Sequence, residues 1–176
     1  MLTTERLDIL PASAEDIPEL YAIEHDPANS PYIFKQTVEE HLKELENPDI
    51  LNFMVKLKED GSTVGYVIID LETKAEWFEI RRLAFTRKNC GYGRELLTEL
   101  IRYAFEDLNM NKVWLEAYPD NLPAMHLYTS LGFFVEGVRR QHSREERGLL
   151  DEVQLSMLRN EYLELKEKIF LYKTRE

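Results

Sequence analysis

Arg87-Lys88-Asn89-Cys90-Gly91-Tyr92-Gly93-Arg94 is the run on which the reading of this chain turns. A β-rich segment ends just before it, at Leu83-Ala84-Phe85, and a strongly periodic helix begins just after it. Gly91 and Gly93 let the backbone come close to a ligand. The unpaired N–H groups of a first helical turn, together with the helix dipole, favour an anion there. Arg87, Lys88 and Arg94 add positive charge. The loop therefore reads as a holder for the pyrophosphate of a cofactor.

Downstream, Leu96, Leu97, Leu100, Ile101, Ala104, Phe105 and Leu108 form one apolar stripe at helical spacing. Asn109-Met110-Asn111 ends that helix, and Lys112 to Tyr118 is a strand. Strand, helix and strand at this spacing make a βαβ unit, hence a parallel pair. Upstream lies an antiparallel meander of three strands: Phe53–Leu57, Val64–Leu71 and Trp77–Phe85, the first two joined through Asp60-Gly61. In the third, Phe78 and Ile80 share one parity and Leu83 and Phe85 the other. A one-residue β-bulge across Arg81-Arg82 would produce that switch; so would a strand buried on both faces.

The chain opens with a strand in residues 4–11, followed by a helix carrying Ile17, Leu20 and Tyr21, with Ser13 and Asp16 as caps and Pro18 in its first turn. After a loop from His25 to Pro31, a charged helix spans Thr37 to Glu46 with Val38, His41, Leu42 and Leu45 at helical spacing. These two helices either cover one end of the sheet or line a substrate channel. Beyond the βαβ unit, Asn121 caps a helix with Ala124, Leu127, Tyr128 and Leu131 on one side, ended by Gly132. Phe133–Val135 and Gln154–Leu158 read as the last two strands, with Arg139 to Gly148 as a charged connection. The expectation is an α/β (α+β) fold: a mixed, mostly antiparallel central sheet of about six to seven strands. It has one parallel pair splayed at a bulge and about four flanking helices. Residues 1–160 form a single domain, and 161–176 a C-terminal helical extension that packs on its own domain or on a second copy, which leaves a homodimer open.

The 176 residues, 44% of them hydrophobic, suffice for one domain with a real core. The net charge of −11 excludes nucleic acid as the main ligand. It fits either a solvated surface or a cationic substrate such as a polyamine or a basic peptide end. The single cysteine excludes an internal disulfide or a CxxC metal site. The four histidines show no ligand spacing, so no metal is expected. No signal peptide and no apolar run of membrane-spanning length is visible, and a cytoplasmic protein without membrane contact is expected.

The strand order is not that of a dinucleotide-binding fold, and no Walker loop is present. Lys88-Asn89-Cys90-Gly91-Tyr92-Gly93 resembles instead the [QR]-x-x-G-x-[GA] loop of the GNAT superfamily of acyl-CoA-dependent N-acetyltransferases. Asn121 to Phe133 resembles that family's N-x-x-A-x-x-L-Y-x-x-x-G-F block. The likeness extends over residues 4–160, most clearly 77–140, and points to the group with ribosomal-protein N-terminal and spermidine acetyltransferases. Lys88 departs from the pattern: it keeps the charge of arginine and loses its fork of donors.

The resemblance implies a GNAT fold with acetyl-CoA as acyl donor and CoA as product. It places the pyrophosphate on Lys88, Asn89, Cys90, Gly91, Tyr92, Gly93 and Arg94. The pantetheine arm would lie along the backbone of Leu83, Ala84 and Phe85. Asn121 would contact that arm as well as capping its helix, and Ala124 would leave room for it. Tyr128 corresponds to the family's general acid, although a tyrosine on an inner helical stripe is also ordinary core. An amine must lose a proton before it attacks. Glu79 is the candidate base, directly or through water, with Glu116 as rival; either could be a surface carboxylate paired with Arg81 or Arg82. His126 faces away from the stripe and reads as solvated, and Cys90 as a loop residue lending its amide. The implied reaction is acetyl transfer from acetyl-CoA to a primary amine, of a small molecule or a peptide, by direct attack in a ternary complex. The alternatives are a non-catalytic acyl-CoA sensor or a nucleotide-binding domain.

Overall fold

The structure, a computed structural model, describes residues 1–171, with side chains through residue 166. The last residues of the expected extension, 172–176, lie outside the described residues. The chain forms one eight-stranded sheet: β1 (Leu2–Thr3), β2 (Leu7–Pro11), β3 (Ile50–Leu57), β4 (Thr63–Glu72), β5 (Trp77–Phe85), β6 (Lys112–Ala117), β7 (Phe134–Glu145) and β8 (Gly148–Leu158). The spatial order is β1-β2-β3-β4-β5-β6-β8-β7. Every neighbouring pair is antiparallel except β5 and β6.

Two features of the sheet's middle create the site. First, β5 pairs with β6 only through Trp77, Phe78 and Glu79, facing Lys112, Val113 and Trp114. Beyond Glu79 the two strands separate. Second, the register between β4 and β5 shifts: Ile68 faces Arg82 and Ile69 faces Ile80, so Arg81 is the extra residue. The parity switch in the sequence is therefore a bulge. It keeps Phe78, Ile80, Leu83 and Phe85 against one core cluster despite their change of parity, and turns Ala84 to the other. A bulge sharpens strand twist and bends the strand away from its neighbour.

Helices cover both faces. α1 (Ile17–His25) and α2 (Val38–Glu44) belong to the face where Ile17 and Leu20 pack with Met54, Tyr66, Ile68 and Ala84. Thr37 caps α2, its hydroxyl accepting from the Glu40 amide while Glu40 reaches back to the Thr37 amide. α3 (Tyr92–Arg102) packs on the other face, where Leu96, Leu97, Leu100 and Ile101 are fully buried with Phe53, Val55, Val67 and Ile69. Each such side chain contributes at most about 1.5–3 kcal/mol. α3 runs into one π turn, Tyr103–Asp107, held by Arg102 on Glu99 and Asp107. α4 (Leu122–Ser130) follows β6, and α5 (Arg159–Leu171) follows β8 directly. Tyr162 of α5 is buried, stacked on Phe105 at 4.9 Å. No helix among the described residues is long and apolar enough to cross a membrane.

The largest difference from the sequence reading is at the end of the sheet. The segment 139–148 is not a connection. It continues both strands into a long hairpin in which Ser143, Arg144 and Glu145 face Leu150, Leu149 and Gly148. Only Glu146 and Arg147 remain as the turn. β7 is the sheet's edge and lies exposed along nearly its whole length, so burial imposes no apolar alternation on it. Charges there mark an edge strand, not a loop. The short β1 also escaped the sequence reading, because two residues carry no periodicity.

Candidate active site

Where β5 and β6 part, a cleft of about 700 Å³ opens between the two helical layers. Leu83, Ala84 and Phe85 line it. On one side these residues pair with Val67, Tyr66 and Gly65 of β4. Their other edge faces the gap left by β6; the Phe85 carbonyl is taken by the Asn29 side chain, and the remaining groups of that edge are available for an extended ligand, as in the addition of a strand.

Loop 88–94 forms the mouth of the cleft on the α3 side. Asn89 and Gly91 are both left-handed, with φ of +60° and +78°. Gly91 stands at the cap position of α3 without a capping side chain, and the first helical bond is Glu95 N–H to Gly91 O at 3.1 Å. The first-turn amides are thus free for an acceptor from outside. Gly93 lies close to α4: a Cβ there would be 3.1 Å from Leu127 Cδ2, which would have to shift by a few tenths of an ångström. The space that the two glycines leave is a cradle of backbone donors, which fits a pyrophosphate.

The side chains of the loop behave less uniformly. Arg87 is exposed. Arg94 donates to Ser130 Oγ at 2.5 Å, joining α3 to α4. Lys88 turns inward and bonds Asn29 Oδ1, and burial lowers its pKa. Cys90 is exposed, with its thiol 3.4 Å from the Lys88 carbonyl oxygen. Arg6, which the sequence reading did not connect to the loop, braces it from β2's approach. It donates to the Cys90 carbonyl at 3.1 Å, pairs with Glu95 at 2.7 Å and lies over the Tyr92 ring at 5.0 Å. No local pattern could have shown a tie between positions so far apart in the chain.

On α4, the Asn121 side chain accepts from the Ala124 amide at 3.4 Å, so it caps the helix while also lining the cleft. Ala124 and Tyr128 line the same wall. Tyr128 packs at 6.1 Å from Phe133. Burial raises its phenol to about 12. It is therefore a neutral O–H at ordinary pH, able to donate. His126 is exposed.

Carboxylates gather on the remaining wall. Glu79 is the last residue of the paired stretch of β5, at the point where β6 departs. Burial, and then the charge of Asp70 on β4, push its carboxyl up to about 7 against the opposing pull of Arg81. Arg81 itself is tied to Glu44 at 2.7 Å and Asp70 at 3.5 Å. The rival, Glu116, is ion-paired with Arg139 at 2.6 Å. Glu152 of β8, a residue the sequence reading missed, also lines the cleft; burial and then Glu116 raise its carboxyl. Its signal was hidden because β8 was read as starting only at Gln154.

Behind the cleft, Glu24 is fully buried. Burial opposes its charge, yet its carboxyl is held below the usual range by His41 Nε2 at 3.4 Å, the Gln36 amide at 2.6 Å and the Tyr66 hydroxyl at 3.0 Å. Arg82, turned to the same face by the bulge, donates to the Phe34 carbonyl at 3.0 Å. These contacts fix the segment between α1 and α2 that forms the wall opposite α4.

A family model, Acetyltransferase (GNAT) domain, matches residues 6–134. Among curated proteins, an uncharacterized N-acetyltransferase p20 of Bacillus licheniformis is 32% identical over 102 residues, 57% of this chain and 56% of that protein. A spermidine N(1)-acetyltransferase of Vibrio cholerae is 38% identical over 47 residues, 27% of each. The matched part thus spans about half of the first relative and about a quarter of the second. Among solved structures, a mutant of the spermidine N-acetyltransferase SpeG from Vibrio cholerae superposes with a TM-score of 0.78 at 19% identity, covering 90% of this chain and 96% of that one. At that identity the likeness speaks for the fold.

Proposed function

Since the chain belongs to the GNAT family of acetyltransferases, we propose that it transfers an acetyl group from acetyl-CoA to a primary amine by direct attack in a ternary complex. The observation that carries this reading is the cleft at the β5/β6 splay. Its walls combine a backbone anion cradle, a largely open strand edge, a partly buried phenol and a carboxyl poised near neutrality.

Acetyl-CoA supplies the activated thioester. The amides of Asn89 to Arg94 hold its pyrophosphate, and the open edge of Leu83, Ala84 and Phe85 holds the pantetheine arm, with Asn121 and Ala124 on the facing wall. Glu79 takes the proton from the incoming ammonium; with its carboxyl near 7 it is partly ionised at neutral pH and matched to that task. Glu116 is the weaker choice, because it is occupied by its ion pair with Arg139. A β5 amide beside the bulge supports the oxyanion as the amine adds. Tyr128 then gives its proton to the departing thiolate.

The carboxylates of Glu79, Glu116 and Glu152 in one cleft favour a cationic acceptor. One relative, named a spermidine N(1)-acetyltransferase, agrees with an amine of this kind. The test is direct. Acetyl-CoA should raise the melting temperature where ATP or NAD does not. Release of CoA thiol should follow addition of an amine from a panel of mono-, di- and polyamines. Binding without release for any amine would leave an acyl-CoA sensor as the answer.

A further inference from the structure

The turn between β7 and β8 is tied to residues on both sides of the cleft. Glu145 accepts from the Tyr118 hydroxyl at 3.3 Å. Glu146 pairs with Lys35 at 3.2 Å. Arg147 donates to the Pro31 carbonyl at 2.8 Å and forms an ion pair with Asp120. Its guanidinium carbon lies 5.4 Å from the ring centre of Tyr32 and 5.4 Å from that of Tyr118. Pro31, Tyr32 and Lys35 belong to the connection between α1 and α2, whereas Tyr118 and Asp120 belong to the connection between β6 and α4. Tyr32 and Tyr118 both line the cleft. One side chain thus joins the cleft's two walls.

The geometry suits arginine. A planar guanidinium offers its faces to two rings while its edge reaches a carboxylate and a carbonyl. An ammonium is a point charge and cannot serve all four partners together. Each contact is partly exposed and weak alone, so the clasp is able to open. Pro31, Tyr32 and Lys35 hold it at the α1–α2 connection, whereas loop 88–94 leads into α3. A tie at that end would narrow the way to Glu79 for an acceptor and leave loop 88–94 open to acetyl-CoA.

We propose that Arg147 is a specificity-determining residue. It holds the hairpin tip as a strap across the acceptor side, so that a slender alkyl amine or diamine reaches Glu79 and the amino terminus of a folded protein does not. A protein terminus needs an open groove to bring its bulk up to the site, and the strap closes that groove. Glu152, in the same cleft, is placed to complement a second positive charge on the admitted chain. The proposal rests on the acetyl-transfer reading above and narrows its acceptor class.

The test uses the full chain, Arg147→Ala, Arg147→Lys and Lys35→Ala, the last cutting the second tie of the same strap. Two acceptors are compared: an unbranched alkyl diamine, and a short peptide amine displayed at the terminus of a folded carrier protein. The wild type should strongly prefer the diamine. The preference should fall about tenfold or more in Arg147→Ala, and in the same direction in the other two. The melting shift given by acetyl-CoA should match the wild type in all three, which also reports folding. Hydrogen exchange should quicken at residues 145–148 and 31–35 alone. Equal use of both acceptors by the wild type would overturn the proposal. So would an unchanged preference in a variant whose tip exchanges faster. If acetyl-CoA binds and neither amine is acetylated, the transfer reading fails and this proposal with it.

Discussion

The ammonium of Lys88 is bonded to the side-chain oxygen of Asn29, so the first residue of the anion loop directs its charge into the protein. Asn29 is itself buried. Its amide group donates to the carbonyls of Ile23 at 2.9 Å and Phe85 at 3.2 Å. One asparagine therefore ties together the end of α1, the end of β5 and the start of the loop. Asn29→Ala would leave the Phe85 carbonyl and the Lys88 ammonium without this partner, and the Ile23 carbonyl with only the Asp26 amide at 3.4 Å. The expected loss is about 1–3 kcal/mol by urea denaturation, the cost of stranding buried polar groups. A change within the error of the measurement would show that the tie carries no weight.

With Lys88 turned away, the proposed anion site would depend on backbone, and the glycines become the sensitive positions. Gly91→Val forces a β-branched residue to φ +78° and brings a side chain toward Arg6, whose nearest nitrogen is 3.2 Å from a Cβ. Gly93→Val drives against Leu127. Both should abolish the acetyl-CoA melting shift while the far-ultraviolet circular dichroism stays that of a folded chain. Normal binding by a folded Gly91→Val protein would refute the loop assignment.

Tyr128→Phe keeps the ring against Phe133 and deletes only the hydroxyl. If that hydroxyl protonates the leaving thiolate, kcat should fall by about 10²–10⁴-fold with acetyl-CoA affinity unchanged. Isothermal titration and steady-state kinetics on the same preparation separate the two. An unaltered kcat would return Tyr128 to the core.

If Glu79 is the base, the pH dependence follows from its carboxyl. A base works deprotonated, and burial and Asp70 push this carboxyl up to about 7. Below that value most molecules carry the proton, so turnover should rise with pH through about 7 and then level off. Glu79→Gln should lower turnover and remove the rising limb. Asp70→Asn removes a charge that raises the Glu79 carboxyl, and releases Arg81, which lowers it. Its limb should therefore move to lower pH. A Glu79→Gln profile that keeps the wild-type limb would shift the role to Glu116 or Glu152.

Much of this was legible in residue order because it is local. The α3 stripe follows from a period of 3.6 residues, and all of its expected core positions from Leu96 to Phe105 are buried. The opposite parity of Phe78/Ile80 and Leu83/Phe85 left a bulge and a strand buried on both faces as alternatives, and the register shift decides for the bulge. The cap at Asn121 and the glycine loop are also local chemistry. The hairpin tip was not legible. A strand exposed on both faces has no burial pattern to display, and a run of arginines and glutamates reads as a loop. Arg6, Asn29 and Glu152 were missed for a different reason: each acts on partners from distant parts of the chain.

The sequence by itself determined the family, the strand–loop–helix that makes the anion cradle, and the residues expected to line the site. Those properties reside in short-range periodicity, backbone freedom and motif. Tertiary structure alone decided how the charges are used: Lys88 inward on Asn29, Arg6 bracing the loop, Glu79 raised by burial beside Asp70, and Arg147 clasping two walls. A charge takes its effect from its surroundings through desolvation and the fields of neighbouring groups. Those neighbours are brought together by the fold.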